Sequence, residues 1–138
     1  MRTNEQVISH SIVVTDRDLE RLRPMIDHSD TLAAQLLDEE LERATVVDQH
    51  SAPPDVVTMN SEVVYEDLAT GTRRTVRLVF PKDADASRHW VSVLAPIGSA
   101  LLGLRVNQQI EWPLPAGPRQ IVVREIRYQP EANGDFHL

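Results

Sequence analysis

No cysteine occurs among the 138 residues, so neither a disulfide framework nor thiolate zinc ligation is open to this chain. Aromatic residues are scarce, at two Trp, two Tyr and two Phe. That is a poor supply for a pocket needing several converging rings, such as one that cradles a proline. No apolar run approaches the roughly 20 residues of a membrane span, and the opening "MRTNEQVISHSIVV" lacks the apolar stretch of a signal peptide. A cytoplasmic protein without a membrane partner is the expectation. There is no "GxxxxGK" phosphate loop, which leaves autonomous nucleotide hydrolysis unsupported. His10, His28, His50, His89 and His137 include no pair at i, i+4 spacing, and no metal or cofactor site is expected.

What is present suits a soluble globular fold: 41% hydrophobic and 25% charged residues, enough for a core in one compact unit with a small appendage. The net charge of −7 argues against unaided binding to a polyanion, which needs clustered Lys and Arg. Its distribution is uneven. Residues 1–50 carry eleven acids against five bases, and residues 51–138 ten against nine.

Thr15 followed by Asp18 resembles a capping box, and Leu19, Leu22 and Ile26 recur at helical spacing, so a helix is expected from about Asp16. Pro24 should kink or shorten it. "DHSD" at 27–30 is turn chemistry, with Ser29 or Asp30 able to cap a second helix. That helix is read over "TLAAQLLDEELERATVV", with Leu32, Ala33, Leu36, Leu37, Leu41 and Ala44 on its apolar side and Asp38, Glu39 and Glu42 largely opposite. Together the two predict a short antiparallel, coiled-coil-like helical hairpin. The Pro-Pro pair in "DQHSAPPD", residues 48–55, marks the boundary between a module at 1–50 and another at 51–138.

Beyond it the pattern turns to strands: "VVTMNSEVVYEDL", a Gly-containing turn, and "RRTVRLVF" form a hairpin. "HWVSVL", "NQQIEW" and "RQIVVREIRY" follow as further strands of a curved antiparallel sheet. Trp90, Trp112 and Tyr128 are expected in its core or rim. Between the third and fourth strands lies "APIGSALLGLRV". Pro96 ends the strand, "IGSALLG" makes about two helical turns, and Gly103 ends them with a left-handed conformation. The apolar Ile97, Leu101, Leu102 and Leu104 suit a plug for the open side of the sheet. Pro96, Gly98, Leu101, Leu102 and Gly103 therefore form a structural motif, and Asn107 takes positive φ in the turn that follows. The fold class is α+β.

The stretch "APIGSALLGLRVNQQIEWPLP" resembles the C-terminal domain of Gre-type transcript cleavage factors, and the likeness continues through "RQIVVREIRY" to cover about 53–130. "PDVVTMNSEV" and the tail "YQPEANGDFHL" are similar to a Gre-related family, the regulators of nucleoside diphosphate kinase. The resemblance implies an FKBP-like fold and a bacterial, monomeric, non-enzymatic transcription regulator. Such a protein binds RNA polymerase near its secondary channel, competes there with Gre-type factors and influences nucleoside diphosphate kinase level. It meets DNA only through the polymerase.

The chain departs from the Gre pattern in Asn107, where glycine is usual, and in its much shorter hairpin. Two enzymatic alternatives stand beside this reading: a cleavage factor that holds magnesium with its tip acids, and a peptidyl-prolyl isomerase. Asp27, His28 and Asp30 at the hairpin tip, with Arg73, Arg74 and Arg77 clustered on the first β-hairpin, are the candidate partner-binding residues.

Overall fold

Thr15 starts the first helix in the way its spacing to Asp18 predicts. In the computed structural model, which describes residues 11–138, its hydroxyl accepts from the Asp18 amide at 3.0 Å. That bond satisfies one of the amides a first turn leaves unpaired. His10 and the start of the opening segment lie outside the described residues. Helix α1 spans Asp16–Asp27 and continues three residues past Pro24. Glu20 and Pro24 are both exposed, so water can serve the carbonyl that the proline leaves without an amide.

Helix α2 spans Leu32–Glu42 and is capped by Thr31, not by Ser29 or Asp30. The Thr31 hydroxyl accepts from the Ala34 amide at 3.1 Å. The helix also stops earlier than its sequence suggests. Thr45–Val47 forms strand β2, which pairs in parallel with β1, Val13–Thr15, in register Val13↔Thr45 to Thr15↔Val47. Three consecutive β-branched residues pack better in a ladder than in a last helical turn.

The main sheet has the order β5-β4-β3-β7-β6. Its strands are β3 (Glu62–Asp67), β4 (Thr72–Val79), β5 (Trp90–Ser92), β6 (Gln109–Leu114) and β7 (Gly117–Tyr128). The hairpin β3–β4 is antiparallel, as is each pairing of β7 with β3 and β6. The expectation of a wholly antiparallel sheet is corrected at its edge, where β5 runs parallel to β4. The connection Phe80–His89, with turns of 3₁₀ helix at Pro81–Asp83 and Ala86–Arg88, carries the chain back far enough to enter in the same direction as β4.

The strand expected from Val56 is also shorter. Asn60 has φ 70°, and the Ser61 hydroxyl accepts from the Thr58 amide at 3.0 Å. This turn takes Val56, Val57 and Met59 out of the ladder and into the core.

The short helix α3, Pro96–Leu101, lies between the sheet and the helical layer. A single hydrophobic cluster joins Leu22, Ile26, Leu37 and Leu41 to Leu101, Leu102, Leu104, Val63 and Val123. Trp112 belongs to it, while Trp90 and Tyr128 are half-buried at the rim. Among the described residues no helix is long and apolar enough to cross a membrane.

Candidate partner-binding surface

The plug is where packing dictates residue identity most tightly. Leu101 and Leu102 are fully buried, and the Ser99 hydroxyl donates to the Pro96 carbonyl at 2.9 Å. Pro96 itself is exposed at the first turn of α3, where a missing amide costs nothing. A Cβ on Gly98 would sit 1.9 Å from the Ser92 carbonyl oxygen, and one on Gly103 2.5 Å from the Ile12 Cβ.

Gly103 has φ 83°, but the helix ends before it. Leu102 is extended and the Leu104 amide donates to the Leu101 carbonyl at 3.2 Å, so Gly103 is the third residue of a type II turn. Its amide donates to the Val57 carbonyl at 2.9 Å and its carbonyl accepts from the Val13 amide at 3.2 Å. The segment thus ties the first strand to the sheet as well as filling space. Asn107 takes φ 70° in the turn before β6.

At the opposite extreme, Asp27, His28 and Asp30 meet at the connection between α1 and α2, and all three are exposed. The His28 ring approaches the Pro24 carbonyl through Nδ1 at 2.7 Å. Among the described residues no group of three or more His, Asp or Glu side chains is placed to hold a metal ion. Leu32, expected on the buried side of α2, is 61% exposed. It stands at a cleft of about 180 Å³ shared with Leu36, Pro96, Trp112, Leu114 and Pro115.

The three arginines do not form one cluster. Arg74 is paired across the hairpin with Tyr65, and Arg73 with Glu66. Alternation along the strand sends Arg74 to the concave face that carries the core, and Arg73 and Arg77 to the other. Arg73 meets Glu66 at 3.2 Å. Arg77 is held against the rings of Trp90 and Tyr128, with its guanidinium carbon 5.5 and 5.0 Å from their centroids. Glu66 also accepts from Arg124 at 2.8 Å, and that bond is the main reason its carboxyl titrates below the ordinary range.

Several polar contacts that no spacing points to tie segments distant in sequence to one another. Asp18 is buried; it accepts from Arg21 at 2.7 Å and from the Met59 amide at 3.1 Å. Gln129 donates to the carbonyls of Pro53 and Val56 at 2.8 and 2.7 Å. The Thr58 hydroxyl donates to Glu131 at 2.7 Å, and burial outweighs that bond to raise the Glu131 carboxyl above its ordinary range. Burial and the 2.5 Å bond from its hydroxyl to Asp135 push Tyr128 up to about 12. Two stretches far apart in sequence, 54–63 and 128–138, are therefore one joint. Gln49 extends it from the helical side by donating to the Phe136 carbonyl at 2.7 Å.

Comparison with known proteins gives this arrangement its relatives. Residues 52–128 match the family "Transcription elongation factor, GreA/GreB, C-term", and residues 10–47 match "Rnk N-terminus". The "Regulator of nucleoside diphosphate kinase" of Escherichia coli (strain K12) is 41% identical over 93% of this chain and 97% of its own. The chain belongs to the regulator of nucleoside diphosphate kinase family. Within it, the joint between 54–63 and 128–138 involves the stretches that carried the resemblance.

The "Transcription elongation factor GreB" of Xanthomonas axonopodis pv. citri (strain 306) is 35% identical over 67% of the chain, which spans 55% of that relative's length. A solved structure of a "Prokaryotic transcription elongation factor GreA/GreB from Nitrosomonas europaea" superposes with a TM-score of 0.71 at 40% identity. The match covers 86% of this chain and 99% of that one. The family's architecture here is a Gre-factor-like α+β fold of two N-terminal helices, a short third helix and a curled sheet.

Proposed function

We propose that this chain is a non-enzymatic transcription regulator that docks on RNA polymerase near the secondary channel, competes there with Gre-type factors and influences nucleoside diphosphate kinase level. In this reading residues 1–50 form an acidic antiparallel hairpin and residues 51–138 an FKBP-like half. The protein works as a cytoplasmic monomer and meets DNA only through the polymerase.

The observation that carries the proposal is a Gre-like C-terminal half joined to helices of only 12 and 11 residues. At about 1.5 Å per residue they extend less than roughly 20 Å. Carboxylates at that tip are too near the body of the protein to complete a metal shell inside a deep channel. Occupancy of a shared surface needs no such reach. The exposed Leu32 and its apolar cleft supply a desolvated anchor, while the tip residues Asp27, His28 and Asp30 and the basic strand Arg73, Arg74 and Arg77 supply charges for complementary polymerase surfaces. The isomerase alternative is disfavoured by the concave cleft beside α3, whose one aromatic lining residue is Tyr65.

The deciding experiment is displacement of a labelled Gre-type factor from core RNA polymerase by the full chain at several ionic strengths. Competition should follow mass action and weaken with salt, mainly through slower association. No displacement at saturation would mean separate sites and end the occupancy mechanism. Release of 3′ fragments from stalled elongation complexes, dependent on Asp27 or Asp30, would restore the cleavage-factor alternative.

A further inference from the structure

Strand β4 is covered on its outer side by β5 only over Arg77–Val79. Toward its start, Thr72–Val76, the strand pairs with β3 alone among the described residues. The direction of its main-chain groups follows from two hydrogen bonds. The Arg77 amide donates outward to the His89 carbonyl at 3.0 Å, and the Leu78 amide inward to the Ser61 carbonyl at 2.9 Å. Alternation then turns the amides and carbonyls of Arg73 and Thr75 outward, where no described strand meets them. An open edge of this kind is a template for another strand.

Charge on both faces decides which strand. On the concave face, the edge borders a cleft of about 290 Å³ lined by Tyr65, Asp67, Arg74, Arg119, Ile97 and Ile121 among others. Arg119 is held by Asp67 at 3.2 Å, and Arg74 has no carboxylate within ion-pair distance among the described residues. On the convex face, Arg73 and Arg124 share Glu66. Four guanidinium groups against two carboxylates make this corner positive in a chain of net charge −7. A second copy of β4 would bring arginine against arginine, whereas an acidic strand finds partners on each face.

We propose that the open edge of β4 and the cleft beside it bind an extended acidic segment of a partner protein, which adds to the sheet as a further strand. A glutamate side chain opposite Arg74 fits the site. Its carboxylate accepts from Arg74 at the rim of the cleft. Main-chain bonds to Arg73 and Thr75 supply the remainder of the recognition. This inference does not rest on the polymerase reading and is tested without polymerase.

The probe is a blocked hexapeptide of alternating glutamate and valine, titrated into the ¹⁵N-labelled full chain. The Arg73 and Thr75 amides should shift together. Three changes should each weaken binding by about tenfold or more, roughly the worth of one charge-assisted hydrogen bond or of a pair of main-chain ones: glutamine for glutamate in the peptide, N-methylation of those of its amides that face β4, and Arg74→Gln in the protein. Arg74 is exposed, so the spectrum of that variant should be unchanged away from the edge. Equal affinity of the glutamine peptide would refute the charge selectivity. Equal affinity of the N-methylated peptide would refute strand addition. Shifts confined to another surface, or none at millimolar peptide, would overturn the proposal as a whole.

Discussion

The plug, Pro96–Gly103, and the helix connection, Asp27–Thr31, are both short segments between regular elements, and they differ in who determines their residues. In the plug, Gly98 and Gly103 have no room for a Cβ, and Leu101 and Leu102 touch no solvent to speak of. At the connection Asp27, His28 and Asp30 are exposed, and their neighbours set few demands beyond turn chemistry and the Thr31 cap. Packing specifies the first segment from within the molecule. The second is constrained from within by little more than its cap.

The contrast can be broken most directly in the plug. Leu101→Ala and Leu102→Ala should each cost about 2–5 kcal/mol in urea unfolding, the range for a buried leucine whose site collapses incompletely. A loss under about 0.5 kcal/mol for both would make the plug a surface feature. The joint between layers comes next. Asp18→Ala leaves the Met59 amide and Arg21 without their acceptor and should cost about 1–3 kcal/mol, although the same change at Asp27, on the same helix, should be nearly silent. Equal effects at the two aspartates would show that burial does not separate them.

A smaller effect depends on pH. Burial raises the Glu131 carboxyl above its ordinary 4.5, so the fold favours the protonated form. The associated stability is present below the unfolded-state pKa and is lost as pH rises through the higher folded-state value. Glu131→Gln keeps an acceptor for the Thr58 hydroxyl. Its melting temperature should therefore gain on the wild type as pH climbs out of the carboxylate range. Glu66, lowered chiefly by the Arg124 hydrogen bond, contributes with the opposite sign and loses its part as pH falls. A difference between Glu131→Gln and wild type that is flat with pH would remove burial as the cause. Least of all, Asp27→Asn and Asp30→Asn should leave stability within about 0.5 kcal/mol. A larger change in a thermal melt would show that the tip is built into the fold and not held open for a partner.

Local chemistry explains which features were legible in advance. The Thr15 cap, the β3–β4 hairpin, the plug and the positive φ of Asn107 depend on residues a few positions apart, where propensity, turn type and periodicity act. The same periodicity misplaced Leu32, because a helical stripe does not reveal where the surface it packs on comes to an end. It also extended α2 through Thr45–Val47, whose partner β1 lies some thirty residues earlier. Arg73, Arg74 and Arg77 read as a cluster until strand alternation and the rings of Trp90 and Tyr128 divided them between two faces. Nothing near Asp18 in sequence announces the Met59 amide.

By itself, then, the amino-acid sequence determined most of the element types, the positive φ of Gly103 and Asn107 and the excess of acid in the first fifty residues, since each follows from short-range sterics or simple composition. Tertiary structure alone decided the parallel β5 edge, the joint of 54–63 with 128–138, the exposed Leu32 and the positively charged start of β4 that no described strand covers. Each of these depends on which distant surfaces come together, and a side chain's burial or partner is a property of that meeting.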